Sequence, residues 1–464
     1  MTWEIVVSDV VKWAAEYDGP LFHALLCDPP YHLTSIVKRF GSPDAAPAQL
    51  GSDGRFSRLS RGFMGQTWDG GDVAFRPETW EALARVCTPG AYLLAFGGTR
   101  TFHRLACAIE DAGWEIRDTL MWVYGSGFPK SHDVSKGIDR AAGAKREVVG
   151  RSPYSSRRPK PIRGNGEIIG VEGGDRHPGG AVSVTAPATA PAKQWDGWGT
   201  ALKPAWEPII VARKPLEGTV AANVQKWGAG ALNIDGCRVG TEAHTYRARG
   251  TKNLVDQHAS SDRPYIAGLP NRDEPEVSVS GRWPANLIHD GSEEVVERFP
   301  QTTTGSGHVR HAGHVSNGGS GYKSKAGTDA YWQGDSGSAA RFFYEAKASA
   351  DEREQNLLGS IPCVHCGGLD TVTHKDDEGR NVPCRRNVHP TVKPIALAQY
   401  LARLILPAPV AAPRRILVPF SGSGSEMLGA LYAGWEMVLG IEISPEYADI
   451  ARARLARDIQ APLL

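Results

Sequence analysis

No hydrophobic run in this chain approaches the ~20 apolar residues that span a bilayer, and Met1-Thr2-Trp3-Glu4 lacks the basic and apolar regions of a secretory signal. A cytoplasmic location without membrane attachment is therefore expected. Cysteine numbers only seven in 464 residues, unevenly spaced. That scarcity excludes a disulfide framework and suits a reducing compartment. An excess of either charge is missing too, since 52 basic residues face 51 acidic ones. Any surface that meets a polyanion must then come from local patches. Internal repeats are absent. No glycine-rich stretch ends in Gly-Lys-Ser/Thr, which disfavours phosphate-binding P-loop chemistry. The length nevertheless buries a substantial core and allows two or more lobes.

What is present is most informative at Asp28-Pro29-Pro30-Tyr31. These residues follow the apolar run His23–Cys27, which reads as a buried strand, so they sit at its carboxyl end. Ligand chemistry in open α/β sheets gathers along that edge. Two prolines remove two backbone donors and hold Asp28 and Pro29 extended. The remainder is rigid: one carboxylate, bare carbonyls and an aromatic face. That set suits a planar group bearing an NH₂, such as a nucleobase with an exocyclic amine. The plainer alternative is a strand-to-turn junction with an incidental tyrosine.

The far end of the chain weighs against that alternative. Ile416-Leu417-Val418 leads into Pro419-Phe420-Ser421-Gly422-Ser423-Gly424-Ser425, and Glu426–Ala433 has helical character before Gly434. Strand, glycine turn and helix together present backbone N–H groups to a ligand. The next strand, Met437–Ile441, ends at Glu442, eighteen residues beyond Gly424. An acid near that spacing accepts hydrogen bonds from a ribose diol. A nucleoside-containing cofactor follows. Dinucleotides rank second, because Met427 stands where the third fingerprint glycine would be.

With these motifs in place the chain resembles the DNA amino-methyltransferases that use S-adenosylmethionine. Asp28-Pro29-Pro30-Tyr31 matches their catalytic motif, Phe420–Gly424 their cofactor loop and Glu442 their ribose-binding acid. Asn387-Val388-His389-Pro390-Thr391-Val392-Lys393-Pro394 matches the segment preceding that loop. The order is that of the permuted β group, and the likeness covers roughly the first 130 and last 80 residues. Ala95–Thr101 and Lys203–Pro208 look like segments of phage and prokaryotic members. The resemblance implies a Rossmann-like class I methyltransferase fold, with a doubly wound, mostly parallel sheet and a large inserted target-recognition region. It implies catalysis by Asp28, Pro29, Pro30 and Tyr31. Cofactor contacts are implied at Pro419, Phe420, Ser421, Gly422, Gly424 and Glu442, with Thr391 and Lys393 close by and Asp9 at the adenine end. Double-stranded DNA is the implied partner, with a restriction nuclease as an optional second. Asp in the first motif position favours adenine N6 over cytosine N4, where Ser is more frequent.

Strands are expected at Glu4–Val7, His23–Cys27, Ala91–Phe96, Ile116–Val123, Trp206–Ala212 and Arg341–Tyr344, with helices at Pro77–Val86 and Thr101–Ala112. This divides the chain into a catalytic half (1–150), a loop-rich insert (151–200), a strand returning to the sheet (201–216), a target-recognition insert (217–384) and a cofactor-binding half (385–464). Arg157, Arg158, Lys160 and Arg163, and Arg247, Arg249 and Lys252 beside Tyr246, form basic clusters able to hold phosphates or read guanine. Solvated loops are the plainer reading of both. Trp195, Trp198, Trp206, Trp227 and Trp283 read as packing residues.

Cys363 and Cys366 form a Cys-x-x-Cys knuckle, His374 follows, and Cys384 lies eighteen residues beyond Cys366. These four suit tetrahedral zinc, which would brace the insert where it rejoins the cofactor half. Pro362-Cys363 and Pro383-Cys384 also raise cytosine carbon-5 methylation, which needs a cysteine nucleophile. Amine methylation needs none, and the Asp-Pro-Pro-Tyr set supplies what it requires. A catalytically silent DNA-binding module is a further alternative, opposed by the intact Asp28 and cofactor loop.

Overall fold

Apolar residues at alternate positions of the buried strands feed two separate cores, one on each face of a single sheet. The computed structural model describes residues 1–31, 72–125, 127, 131–155, 181–247, 276–304, 307–309, 330–332, 335–347, 350–375, 381–389, 391–409 and 413–458. It divides into one unit of Met1–Tyr31, Asp72–Gly125 and Trp206–Leu464, and another of His32–Gly71 and Ser126–Ala205.

The first unit is built on β1 (Thr2–Val7), β2 (Phe22–Cys27), β3 (Cys87–Phe96), β4 (Glu115–Val123), β5 (Trp206–Arg213), β6 (Leu287–His289), β7 (Tyr344–Glu345), β8 (Arg415–Pro419) and β9 (Met437–Glu442). Their order across the sheet is β1-β9-β8-β2-β3-β5-β4-β6-β7. β5 runs antiparallel to β3 and β4, and the other neighbouring pairs are parallel. Helices α1 (Val10–Glu16), α2 (Pro77–Arg85) and α3 (Phe102–Asp111) cover one face, and α4 (Ile395–Leu404), α5 (Ser425–Ala433) and α6 (Pro445–Asp458) the other. Successive side chains of a strand point to opposite faces. Accordingly Leu25, Cys27, Leu93 and Ala95 pack with Trp80 and Leu105, whereas Leu26, Leu94 and Phe96 pack with Leu397 and Leu428. All six residues of β2 are buried, as a central strand covered on both sides requires. Truncating a leucine such as Leu26 to alanine should cost ~2–5 kcal/mol.

β8 and β2 lie side by side, yet β8 continues to β9 on one side and β2 to β3 on the other. This is a topological switch point, the place where such sheets bind ligands beyond the strand carboxyl ends.

The second unit contains the helix Val134–Ala141, the antiparallel strands Glu147–Ser155 and Ala181–Ala186, and the short helix Ala190–Gln194. Asp139 ties them together, accepting hydrogen bonds from Ala188 N, Thr189 N, Thr189 Oγ1 and Arg146 Nη1 at 2.6–3.0 Å. Burial opposes ionisation, but these bonds outweigh it and hold the carboxyl at about 2.

The expected strands and helices of the first unit form with ends shifted by a few residues at most, except at Arg341–Tyr344. There Ala339–Phe342 is a turn of 3₁₀ helix, and the strand is Tyr344–Glu345. β6 was not foreseen, since three residues are too few to establish a period. Both β6 and β7 come from within 217–384, so that stretch contributes to the main sheet. Part of the loop-rich 151–200 is regular, as the hairpin and helix above show. The basic residues Arg157, Arg158, Lys160, Arg163, Arg249 and Lys252 lie outside the described residues, as do the side chains of Tyr246 and Arg247. Trp206 and Trp227 are half-buried, but Trp195, Trp198 and Trp283 are exposed rather than packed in the core. No helix among the described residues is long and apolar enough to cross a membrane.

Candidate active site

Asp28 follows β2 directly, at the switch point, and meets an ammonium delivered from the other end of the chain. Lys393 Nζ lies 3.0 Å from Asp28 Oδ2, 3.2 Å from Glu207 Oε1 and 3.0 Å from Tyr31 Oη. Tyr31 Oη in turn donates to Glu207 Oε1 at 2.9 Å. The ammonium also sits over the rings of Tyr31 and Phe96, 5.2 and 4.8 Å from their centroids. Burial would strip Lys393 of its proton, but Asp28 and Glu207 raise its pKa above the ordinary value. Tyr31 is pushed up by burial and by the same two carboxylates. Asp28 Oδ1 is buried with no hydrogen-bond partner among the described residues. A buried acceptor left unmade costs ~1–3 kcal/mol, and this oxygen is free to accept from a donor.

The backbone shapes this corner closely. Thr101 Oγ1 donates to Tyr31 O at 3.0 Å, and a Cβ at Gly98 would lie 3.2 Å from Tyr31 Cδ2. Pro29 is buried and Pro30 partly so. Glu426, in the first turn of α5, is a third acid here. Burial and the charge of Asp28 raise its pKa to about 7.

The loop after β8 is held open by unusual backbone conformations. Phe420, Gly422 and Gly424 have φ of 59°, 51° and 83°. The first is uncommon for a residue with a side chain. A Cβ at Gly422 would meet His389 Nε2 at 2.9 Å, and one at Gly424 would meet Ala451 Cβ at 3.0 Å. Glu442, at the end of β9, is buried and accepts from Gly422 N through Oε2 and from Ser444 N through Oε1, each at 2.8 Å. Ile443 N is a third backbone donor to this carboxylate, which still keeps lone-pair capacity for a further donor. Arg454 lies fully buried beneath the loop, donating to Ser423 O at 2.7 Å and Ser425 Oγ at 3.0 Å. Ser421 Oγ is a second buried polar atom without a partner among the described residues. The loop thus has two positive-φ glycines packed closely against His389 and Ala451, a buried acid on the next strand and a buried hydroxyl without a partner among the described residues. That donor set fits a nucleoside cofactor.

The other expected cofactor residues are distributed unevenly. Asp9 caps α1, its Oδ1 accepting from Val11 N and Lys12 N at 2.9 and 3.0 Å. Thr391 is exposed, and its carbonyl meets His389 Nδ1. Lys393 sits against Asp28, on the catalytic side. Pro419 is the buried last residue of β8.

The three cysteines of the proposed knuckle come together with His374. Cys366 Sγ and Cys384 Sγ are 3.7 Å apart, and His374 Nδ1 lies 3.7 Å from Cys384 Sγ and 4.0 Å from Cys363 Sγ. The ligand atoms of Cys363, Cys366 and Cys384 all fall within 4.8 Å of one another, as around one tetrahedral ion with ~2.3 Å bonds to sulfur. Burial opposes ionisation of Cys363, but the N–H groups of Cys366 and His365 outweigh it and bring the thiol to about 6. Burial and the neighbouring sulfurs push Cys384 up to about 12.

Three residues of this architecture were not singled out from the sequence. Glu207 falls within the family-like segment Lys203–Pro208, but that segment gave it no role; Arg454 lies far from its partners in sequence, and no local pattern marks it. Glu426 carries a weak signal, a lone acid opening an otherwise apolar helix.

Residues 22–453 match the model of a family described as DNA methylase, the N6_N4_Mtase family. No curated protein matches. Among solved structures, the M1.HpyAVI–SAM complex aligns at 11% identity and a TM-score of 0.33, over 98% of this chain and all of that one. TTHA0409 from Thermus thermophilus aligns at 11% and 0.36, over 99% and 97%. PvuII DNA methyltransferase, cytosine-N4-specific, aligns at 10% and 0.39, over 98% and 86%. Likenesses this distant are similarities only. The family match spans nearly the whole chain and takes in both the Asp28 corner and the loop after β8: the chain belongs to the DNA methylase family.

Proposed function

We propose that the chain methylates an exocyclic amine of a flipped base in double-stranded DNA, using S-adenosylmethionine, and that the amine is adenine N6. The observation that carries this reading is Asp28, whose Oδ1 is a buried acceptor without a partner among the described residues while Oδ2 is neutralised by Lys393. When bound, S-adenosylmethionine supplies a sulfonium methyl whose C–S bond breaks as the amine lone pair forms the new N–C bond. Phe420, Ser421, Gly422, Gly424 and Glu442 would hold it, with Asp9, Pro419 and Thr391 at the margins. Asp28 Oδ1 and the Pro29 carbonyl accept the two amine hydrogens, drawing the lone pair out of conjugation. The proton released on transfer passes to Asp28 Oδ1. Tyr31 stacks on the base. The work is positioning and electrostatics, on a base taken out of the stack.

Adenine is favoured by the Asp at position 28, through the resemblance to adenine-specific members. Mass spectrometry of nucleosides from DNA incubated with the protein and S-adenosylmethionine tests the reading. N6-methyladenine is expected. N4-methylcytosine would overturn the choice of base, and an unmodified digest the activity.

One structural zinc on Cys363, Cys366, His374 and Cys384 belongs to the same reading. The grouping of the three sulfurs supports it, with His374 Nδ1 within 4.0 Å of two of them. Arg386 links the knuckle to the short helix Ala350–Glu354: its Nη2 donates to Leu369 O and Thr371 O at 2.8 and 2.7 Å, and its N donates to Glu354 Oε2 at 2.8 Å. The ion would brace the start of the segment that carries Lys393.

A further inference from the structure

Glu207 is the second residue of β5, the strand that runs against its neighbours. That reversal brings the beginning of β5 to the carboxyl edge of the parallel strands. Glu207 pairs with Trp122, and Gly97 N donates to Pro208 O at 2.9 Å. An acid placed at the start of β5 therefore reaches the Asp28 corner from the side of the sheet opposite the cofactor loop.

Lys393 has three N–H donors, and three acceptors surround it: Asp28 Oδ2, Glu207 Oε1 and Tyr31 Oη. Having accepted from Lys393, the Tyr31 hydroxyl must place its own proton, and it points at Glu207 Oε1, 2.9 Å away. Asp28, like Glu207, is an ion-pair partner of the same ammonium and raises the pKa of that hydroxyl. The two carboxylates thus compete for one phenolic proton and one ammonium. The winner of the phenolic proton decides whether Asp28 keeps an oxygen for substrate.

We propose that Glu207 is a positioning residue for methyl transfer, resting on the amine-methyltransferase reading above. It draws off the Tyr31 proton and one hydrogen of Lys393, so that Asp28 presents Oδ1 unencumbered to the target amine. Glu207 itself touches neither base nor cofactor. Without it, the Tyr31 hydroxyl turns towards Asp28 and competes with the amine for that carboxylate.

The test is steady-state kinetics on DNA with four proteins: wild type, Glu207→Ala, Tyr31→Phe and the double variant. Thermal melting and calorimetry with S-adenosylhomocysteine establish that each is folded and binds the cofactor product. Loss of a charge-assisted hydrogen-bond acceptor predicts a roughly 10- to 100-fold fall in kcat for Glu207→Ala, with KM for S-adenosylmethionine within a few-fold of wild type. Adding Tyr31→Phe removes the competing hydroxyl, so the double variant should be faster than Glu207→Ala alone. A residue that merely supports the fold gives no such rescue. Glu207→Gln, which keeps the acceptor oxygen, should lose less than Glu207→Ala. An active wild type together with an undiminished kcat in Glu207→Ala overturns the role of Glu207 and leaves the parent reading standing. So does a double variant whose loss is the product of the two single losses. A wild type that methylates no base overturns the parent reading and this inference with it.

Discussion

Lys393 Nζ bridges Asp28 Oδ2 at 3.0 Å and Glu207 Oε1 at 3.2 Å, so one ammonium serves two carboxylates inside the protein. All three side chains are largely shielded from water. Removing the ammonium strands both acids. Lys393→Met should destabilise the protein by about 3–5 kcal/mol, the cost of breaking a buried pair from one side. Denaturant unfolding at neutral pH measures this, and a loss under ~1 kcal/mol, the range of an exposed pair, would contradict the geometry.

Asp28→Ala should abolish methyl transfer and leave cofactor affinity within a few-fold. On the proposed reading the carboxylate accepts from the amine, and losing it should remove about 3 kcal/mol or more of transition-state stabilisation. Turnover close to wild type would reject Asp28 as the acceptor.

Gly422→Val and Glu442→Ala should each weaken binding of S-adenosylhomocysteine, read by calorimetry. At Gly422 the cause is a φ of 51° together with the approach of His389 Nε2 to 2.9 Å of any Cβ. At Glu442 it is the loss of the acceptor that also fixes Gly422 N. Wild-type affinity in either variant would remove that residue from the cofactor site.

Glu426 makes stability depend on pH. Its carboxyl is raised from the ordinary 4.5 to about 7, by burial first and Asp28 second. The folded protein therefore binds the proton more tightly than the unfolded chain. This contribution is complete below 4.5 and is lost as pH climbs through about 7. Glu426→Gln, always neutral, should gain stability relative to wild type between about pH 5 and pH 8. Unfolding free energies at the two pH values decide it, and a difference that does not change with pH would refute the shift.

Metal analysis of protein expressed with zinc present should find one zinc per chain, and Cys366→Ser with Cys384→Ser none. Metal loss should lower the melting temperature without eliminating methyl transfer. A stoichiometry near zero for the wild type rejects the knuckle as a zinc site.

The strands that carry the catalytic and cofactor motifs were legible because their signals are local. An apolar run ending in Asp28, and a run ending in Phe420 with glycines behind it, declare strand, turn and helix by themselves. The segment holding Glu207 was noticed, but the role of Glu207, like that of Arg454, was not, because each depends on a partner, 176 and 31 residues away respectively. Lys393 was assigned to the cofactor side by its neighbours in sequence. Only its contacts with Asp28, Tyr31 and Glu207 in the folded chain show it beside Asp28. The knuckle lies between these cases, since its spacing named the ligands and folding brought them together. β6 failed for a simpler reason, being three residues long and held by pairing rather than by any pattern of its own.

The side-by-side pairing of β2 and β8 also governs how the molecule comes into being. His23 Nδ1 accepts from Arg415 N across 392 residues of sequence. A ribosome adding roughly 5–20 residues per second needs on the order of 20–80 s to deliver that partner. Throughout this interval one hydrogen-bonding edge of the most apolar strand in the sheet has nothing native to pair with. The nascent chain thus passes through a long vulnerable window, in which a chaperone or the early folding of β2 against β3 must shield that edge. Yield of active protein should respond to translation speed and temperature more steeply than the stability of the finished enzyme does.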